Sequence, residues 1–165
     1  MNEVHGVAPA AAHGPAWLTA YPAGIAWDER FEPRAVHELL DASARRFAAK
    51  PCTSFLGRSL NYGEIAALVN HAAKGFQDLG VRKGVTVGLF LPNSPTFVVA
   101  YYAVLKAGGT VVNFNPLYSI EELEHQARDS GTEIMVTLNL KALFAKVETL
   151  IEKGVLRKAV VASFT

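Results

Sequence analysis

The chain has 165 residues, half of them hydrophobic and 19% charged, enough to bury a core and too apolar to stay unfolded. Sixteen Lys and Arg stand against fifteen Asp and Glu, a net charge of +1, which supplies no field to gather nucleic acid or anionic lipid. The single cysteine, Cys52, excludes an internal disulfide and a cysteine-built zinc site; it fits a reducing compartment and the role of a small buried side chain.

Residues 1–15 carry no Lys or Arg and no continuous apolar run, so they lack the two regions of a secretory signal, and a cytoplasmic location is expected. Residues 1–33 are rich in Ala, Gly and Pro with Trp17, Tyr21 and Trp27 irregularly spaced. They read as an arm lying extended over a neighbouring surface, not as an element. The body is expected over residues 34–165. Val36, Leu39, Leu40, Ala44 and Phe47 follow the helical period between Ala35 and Ala49, and Pro51 closes that run. Thr53 to Leu56 and Leu60 flank Gly57-Arg58, two short strands around a tight turn. Asn61 stands three residues before Glu64 and opens a helix with Ile65, Leu68, Val69, Ala72, Phe76 and Leu79 on one stripe, ended at Gly80.

From residue 84 onward short β-branched runs alternate with capped helices. Val85 to Leu91 is a strand; Ser94 caps and Pro95 opens a helix to Ala107. Thr110 to Phe114 is a second strand, after which Ser119 and Glu122 form a capping box for a helix to Ser130. Glu133 to Leu138 is a third, Asn139 is the expected cap of a helix through Ile151, and Lys158 to Ala162 is a fourth. Leu89 to Phe114 is the most apolar stretch, but Pro92-Asn93-Ser94, Lys106 and Gly108-Gly109 interrupt it, so it is no membrane span. The tandem predicts an α/β fold: a mostly parallel sheet of βα units with helices on both faces and every strand-to-helix loop at one edge. Ligands bind at that edge, so Pro92-Asn93-Ser94, Asn115-Pro116-Leu117-Tyr118 and Leu138-Asn139 are the loops that geometry offers.

No phosphate loop, dinucleotide fingerprint, nucleophile elbow or paired-histidine zinc helix is present. His37-Glu38 lacks the second histidine of a zinc helix and reads as a solvated face, as does His125. Glu121, Glu122 and Glu124 sit in a first helical turn, where the helix dipole accounts for them without a metal. Lys141, Lys146, Lys153, Arg157 and Lys158 outweigh Glu148 and Glu152, which fits a solvated helix face better than an anion site. These residues build no catalytic centre.

The run Lys106-Ala107-Gly108-Gly109-Thr110-Val111-Val112-Asn113-Phe114-Asn115-Pro116-Leu117-Tyr118 resembles the N-terminal region of the adenylate-forming enzymes, specifically long-chain fatty-acyl-CoA ligases. Leu91-Pro92-Asn93-Ser94, Glu122-Leu123-Glu124-His125-Gln126, Asp129-Ser130-Gly131, Leu60-Asn61-Tyr62-Gly63-Glu64-Ile65 and the opening Trp17-Leu18 with Tyr21-Pro22 extend the resemblance over about residues 17–165. It implies an N-terminal domain of an acyl-CoA synthetase-like fold. The implied reaction makes an acyl-adenylate and pyrophosphate from a fatty acid and Mg-ATP, after which coenzyme A displaces AMP. Such chemistry needs donors on the phosphates, a metal ion and a lysine near the developing charge. The family's phosphate loop and C-terminal lysine have no counterpart here, so the chain is expected to be an inactive N-terminal fragment with no catalytic residue or metal ligand of its own. ATP, Mg2+ and CoA are implied for the full-length enzyme. The resemblance places Asn115, Pro116, Leu117 and Tyr118 beside the coenzyme A entrance, with Asn139 and Lys141 nearby. It also implies a homodimer through N-terminal segments and a place in the cytoplasm, at most peripheral to the inner membrane. Without it, the βα pattern equally admits a standalone nucleotide- or CoA-binding module, and the aromatic arm an assembly module.

Overall fold

The computed structural model describes residues 16–22, 24–26 and 28–164. The chain divides into two compact units, 1–33 and 34–165. In the first, Ala16–Ala20 winds a short 3-10 turn and the Trp17 and Tyr21 rings meet at 5.8 Å between centroids. The sequence reading expects no element here; two aromatics four residues apart pack across one helical turn, which explains the difference. Residues 1–15 and Trp27, covered by the same reading, lie outside the described residues.

The second unit holds α1 (His37–Phe47), β1 (Pro51–Phe55), β2 (Arg58–Asn61), α2 (Tyr62–Asp78), β3 (Thr86–Leu89), α3 (Pro95–Lys106), β4 (Thr110–Asn113), α4 (Ile120–Asp129), β5 (Ile134–Leu138), α5 (Lys141–Glu152) and β6 (Lys158–Ala162). β1 and β2 form an antiparallel hairpin in which Phe55 faces Arg58. Its two-residue turn is therefore Leu56-Gly57, one position earlier than the sequence reading places it. Both residues have positive φ, 48° and 78°, as a primed turn matching the strand twist demands. Leucine is poorly suited to that backbone region, which is why the turn is hard to read from sequence.

The main sheet is parallel throughout, in the order β4-β3-β5-β6. The chain leaves β3 for β4 on one side, then crosses back past β3 to β5 and continues to β6. Right-handed crossovers put α3 on one face and α4 and α5 on the other, and the side chains agree. Val87, Leu89, Ile134 and Val136 are paired in register, so they point to one face. Val136 meets Ala72 and Phe76 of α2 and Val99 and Ala100 of α3 around a shared groove. All five residues of β5 are buried, as expected of a central strand covered on both faces.

Caps follow the sequence closely. Asn61 Oδ1 accepts from the Glu64 N–H and Glu64 Oε2 accepts from the Asn61 N–H, both at 2.8 Å; Ser119 and Glu122 repeat the arrangement. Ser94 Oγ accepts from the Phe97 N–H, with Pro95 opening α3. The exception is Asn139. α5 starts after Leu140, which has no side-chain cap, and Asn139 Oδ1 instead accepts from the Phe164 N–H at 2.9 Å. Its own N–H donates to the Ala162 carbonyl, so Asn139 fastens the end of β6 to the end of β5. A pairing contact 25 residues away outcompetes the local cap.

Gly88 lies where β3 approaches a ring: a Cβ there would stand 2.7 Å from Phe114 Cε2 and 3.0 Å from Thr132 Cγ2. Gly75, inside α2, has open space at the same position. Gly88→Ala should therefore destabilise by about 1–3 kcal/mol through overpacking, while Gly75→Ala should stabilise by about 0.5–1 kcal/mol through helix propensity. Urea unfolding midpoints of the two variants check both signs.

Candidate functional site

Parallel strands send the ends of β3, β4, β5 and β6 to one edge. β3 and β5 are neighbours whose following helices leave to opposite faces, and such a reversal opens a crevice beyond the strand ends. It is flanked by Pro92-Asn93-Ser94 after β3 and by Asn139 after β5. The Asn115–Tyr118 loop follows β4, one strand further out. Parallel spacing puts the ends of β4 and β5 about 10 Å apart, so the loops named from sequence share an edge without forming one pocket. The order β4-β3-β5-β6 has no signature in the sequence, so the β3/β5 crevice is visible only in the fold.

The Asn115–Tyr118 loop is a built turn. The Tyr118 N–H donates to the Asn115 carbonyl and the Leu117 N–H to Asn115 Oδ1, each at 3.0 Å. Pro116 presets the backbone at the second position of this turn. The result turns Tyr118 partly onto the core and leaves Leu117 87% exposed. Upstream, Gln126 Nε2 donates to the Asn113 carbonyl at 3.1 Å; downstream, Lys146 Nζ donates to the Tyr118 carbonyl at 2.5 Å. Neither residue stands out in sequence as part of a loop's support.

Four of the five downstream basic residues are committed to the protein. Lys146 holds Tyr118, Lys153 pairs with Glu124 at 2.8 Å, Arg157 pairs with Glu133, and Lys158 Nζ donates to the Leu79 carbonyl. Lys141 makes no such contact among the described residues and is exposed in the first turn of α5. His125 is exposed and His37 half-buried. Cys52 is half-buried, and burial raises its thiol pKa, which lowers its thiolate fraction and reactivity.

The acidic residues of α4 divide their work. Glu122 completes the capping box. Glu121 has its carboxyl pKa lowered first by its own backbone N–H, then by the Ser119 side chain. Glu124 is lowered chiefly by Lys153 and then by Arg128, which pairs with it at 3.0 Å. Among the described residues no group of three or more His, Cys, Asp or Glu is placed to hold a metal ion.

Two apolar openings accompany this edge. One, of about 560 Å³, runs between the hairpin turn and the starts and ends of neighbouring elements: Phe55, Leu56, Arg58, Pro95 and Phe164 line it. The other, of about 410 Å³, lies between α2, α3 and the sheet at Val136, Val160 and Ala162. Neither includes Asn115–Tyr118 or Lys141 among its lining residues.

The AMP-binding enzyme family matches residues 40–163. The chain belongs to that family. It is 37% identical over 140 residues to a long-chain-fatty-acid–CoA ligase of Bacillus subtilis (strain 168), a match covering 83% of this chain and 25% of that protein. Among solved structures, a long-chain-fatty-acid-CoA ligase from Archaeoglobus fulgidus superposes with a TM-score of 0.72 at 29% identity, over 84% of this chain and 29% of that one. The N-terminal domain of FACL13 from Mycobacterium tuberculosis shares the fold with a TM-score of 0.72 at 20% identity, over 79% of this chain and 34% of that one. The chain thus spans about a quarter of the length of the curated ligase it matches.

Of the Glu124 pairs, the one with Lys153 ties α4 to the C-terminal end of α5 and the one with Arg128 stays within α4; their sign with pH follows from the lowered carboxyl. A folded pKa below the unfolded one contributes stability that is complete above the unfolded value and is lost as the pH falls through the folded one. Glu124→Gln should therefore lower the thermal midpoint at pH 7. The gap from the parent chain should shrink below about pH 4.5 and close under the folded pKa. Melting curves across the acid range check it.

Proposed function

We propose that the chain is the N-terminal part of an AMP-forming long-chain fatty-acid–CoA ligase, and that residues 34–165 supply part of the α/β N-terminal domain while residues 1–33 form an arm. In the proposed reaction the fatty acid carboxylate attacks the α-phosphorus of ATP and pyrophosphate leaves. The coenzyme A thiol then attacks the acyl carbonyl carbon, and AMP leaves. The observation that carries this reading is the 37% identity to a fatty-acid–CoA ligase along 83% of the chain.

The residues present suit a coenzyme wall better than a nucleotide–metal centre. The Asn115–Tyr118 turn offers an exposed leucine, and Lys141 offers an unpaired ammonium near the same edge for a coenzyme phosphate. Asn139 contributes by holding the strand ends, since its Oδ1 is taken by Phe164. ATP and Mg2+ need phosphate donors and carboxylates. Their binding is assigned to other parts of the ligase.

The flank at β6 supports the same reading. β6 pairs only with β5 among the described strands. Beside it, Val161, Phe144 and Ile151 are exposed, while Val160 and Ala162 on the opposite face border the open groove under α2 and α3. Edge strands that face water in a finished protein carry charge, proline or a bulge against further pairing; β6 has only Lys158 at its start. Among the described residues no helix is long and apolar enough to cross a membrane. The location proposed for the ligase is the cytoplasm, at most peripheral to a membrane.

Incubated with ATP, Mg2+, palmitate and coenzyme A, the 165-residue chain should release no pyrophosphate above background. A ligase carrying these residues should release it in step with acyl-CoA. Release by the short chain would contradict its assignment as scaffold.

A further inference from the structure

The outer edge of β6 pairs with no other strand among the described residues. The Lys158 N–H donates to the Glu133 carbonyl at 3.1 Å and the Ala162 carbonyl accepts from the Asn139 N–H at 3.0 Å, so Lys158, Val160 and Ala162 aim their main-chain groups at β5. Alternation turns the N–H and C=O of Ala159 and Val161 outward. A lysine on an edge strand ordinarily blocks further pairing, but the Lys158 ammonium is drawn back to the Leu79 carbonyl, just past α2. The edge is left without its guard. α5 extends the same flank: Leu143, Val147 and Leu150 are buried, while Lys146 and Lys153 reach toward α4 and the turn before it. At about 3.6 residues per turn, Leu140, Phe144 and Ile151 then lie on the side of α5 away from α4 and project past β6. All three are exposed. Val160 and Ala162 border the groove under α2 and α3, so Val161, also exposed, takes the α5 face and joins them.

We propose that this flank is the docking surface for a second copy of the chain, β6 pairing antiparallel with β6 of the other copy about a two-fold axis through Val160. The outward groups select that register. Ala159 of each copy exchanges both main-chain hydrogen bonds with Val161 of the other, and Val160 faces its counterpart as the pair without hydrogen bonds. Lys158 then stands opposite Ala162, so no like charges meet across the strands. The helices match as well. α5 packs on both β5 and β6, so across the seam the two copies of α5 fall two strand spacings apart, about 10 Å, a distance at which helices pack. Phe144 and Ile151 fill the space between them. The axis sets the two helices antiparallel. Lys146 and Lys153 are occupied on the α4 side, which leaves Lys141 at the start of α5 and Glu148 and Glu152 toward its end, all exposed. Lys141 of each copy therefore comes level with Glu152 of the other, and the charges left over on one helix complement those on its twin. The proposal concerns the chain of residues 1–165 and does not rest on the ligase reading.

Sedimentation velocity of the 165-residue chain should give a dimer at micromolar concentration. A monomer at every concentration up to the millimolar range overturns the proposal and leaves the flank to another occupant. Val161→Lys puts a charge into the seam at a position exposed in the single chain, and should weaken the dimer about tenfold or more with the far-ultraviolet circular dichroism unchanged. A dimer of undiminished affinity in that variant overturns the β6 seam. Lys141→Glu should weaken the dimer about fivefold, two exposed pairs being lost by symmetry, and adding Glu152→Lys should restore it. Cross-linking tests the register and needs no loss of stability. In a Cys52→Ser background, Val160→Cys should oxidise to a disulfide-linked dimer, because facing Cβ atoms in such a pair stand about 5 Å apart. Ala159→Cys should not, since its own counterpart lies two residues further along. Absence of a disulfide at Val160→Cys, or its formation at Ala159→Cys instead, overturns the pairing.

Discussion

One constraint organises residues 34–165: the four strands of the main sheet run in the same direction. Parallel strands cannot be joined by a tight turn, so each connection must cross back through a helix, and handedness assigns those helices to faces. Because the chain goes from β3 to β4 and then back past β3 to β5, α3 falls on one face and α4 and α5 on the other. β5 is buried from end to end as a consequence. All strand-to-helix loops fall at one edge. The Asn115–Tyr118 turn, Asn139 and Lys141 share that edge because of topology, not because of any contact among them.

The alternation of strand and helix was legible because its signals are local. Ser94-Pro95, Asn61 with Glu64 and Ser119 with Glu122 announce helix starts by hydrogen bonds closed within three residues, and the structure forms each of them. Where a distant partner competes, the local signal misleads. Asn139 looks like a cap but gives its side chain to Phe164, which follows β6. The hairpin turn lies one residue from its sequence signal for a different reason: Leu56 occupies a backbone region usually left to glycine or asparagine. The Trp17 region carries two rings one helical turn apart, a spacing too short to register as a periodic pattern.

The candidate edge was legible in its loops but not in its supports. Asn115, Pro116 and Tyr118 are turn-forming or ring-bearing residues that draw notice in sequence. Gln126 and Lys146 are ordinary surface types whose part depends on α4 and α5 lying side by side beneath the loop. The strand order decides that placement, and no residue pattern encodes strand order directly. The basic run on and after α5 illustrates the same point. As sequence it suggests a charged face, yet in the fold four of its five cations meet specific oxygens of α4, the loop, Glu133 and Leu79. Lys141 is left to solvent.

Membership in the AMP-binding family and the open flank beside β6 fit a scaffold that contributes one edge to a larger site. The most direct measurement of that account is a structure of a ligase carrying these residues with coenzyme A bound. The account predicts β4-β3-β5-β6 retained and the coenzyme lying along the C-terminal strand edge, touching the Asn115–Tyr118 turn. A coenzyme seated at the opposite edge, beside Gly84 and Gly108, would contradict it.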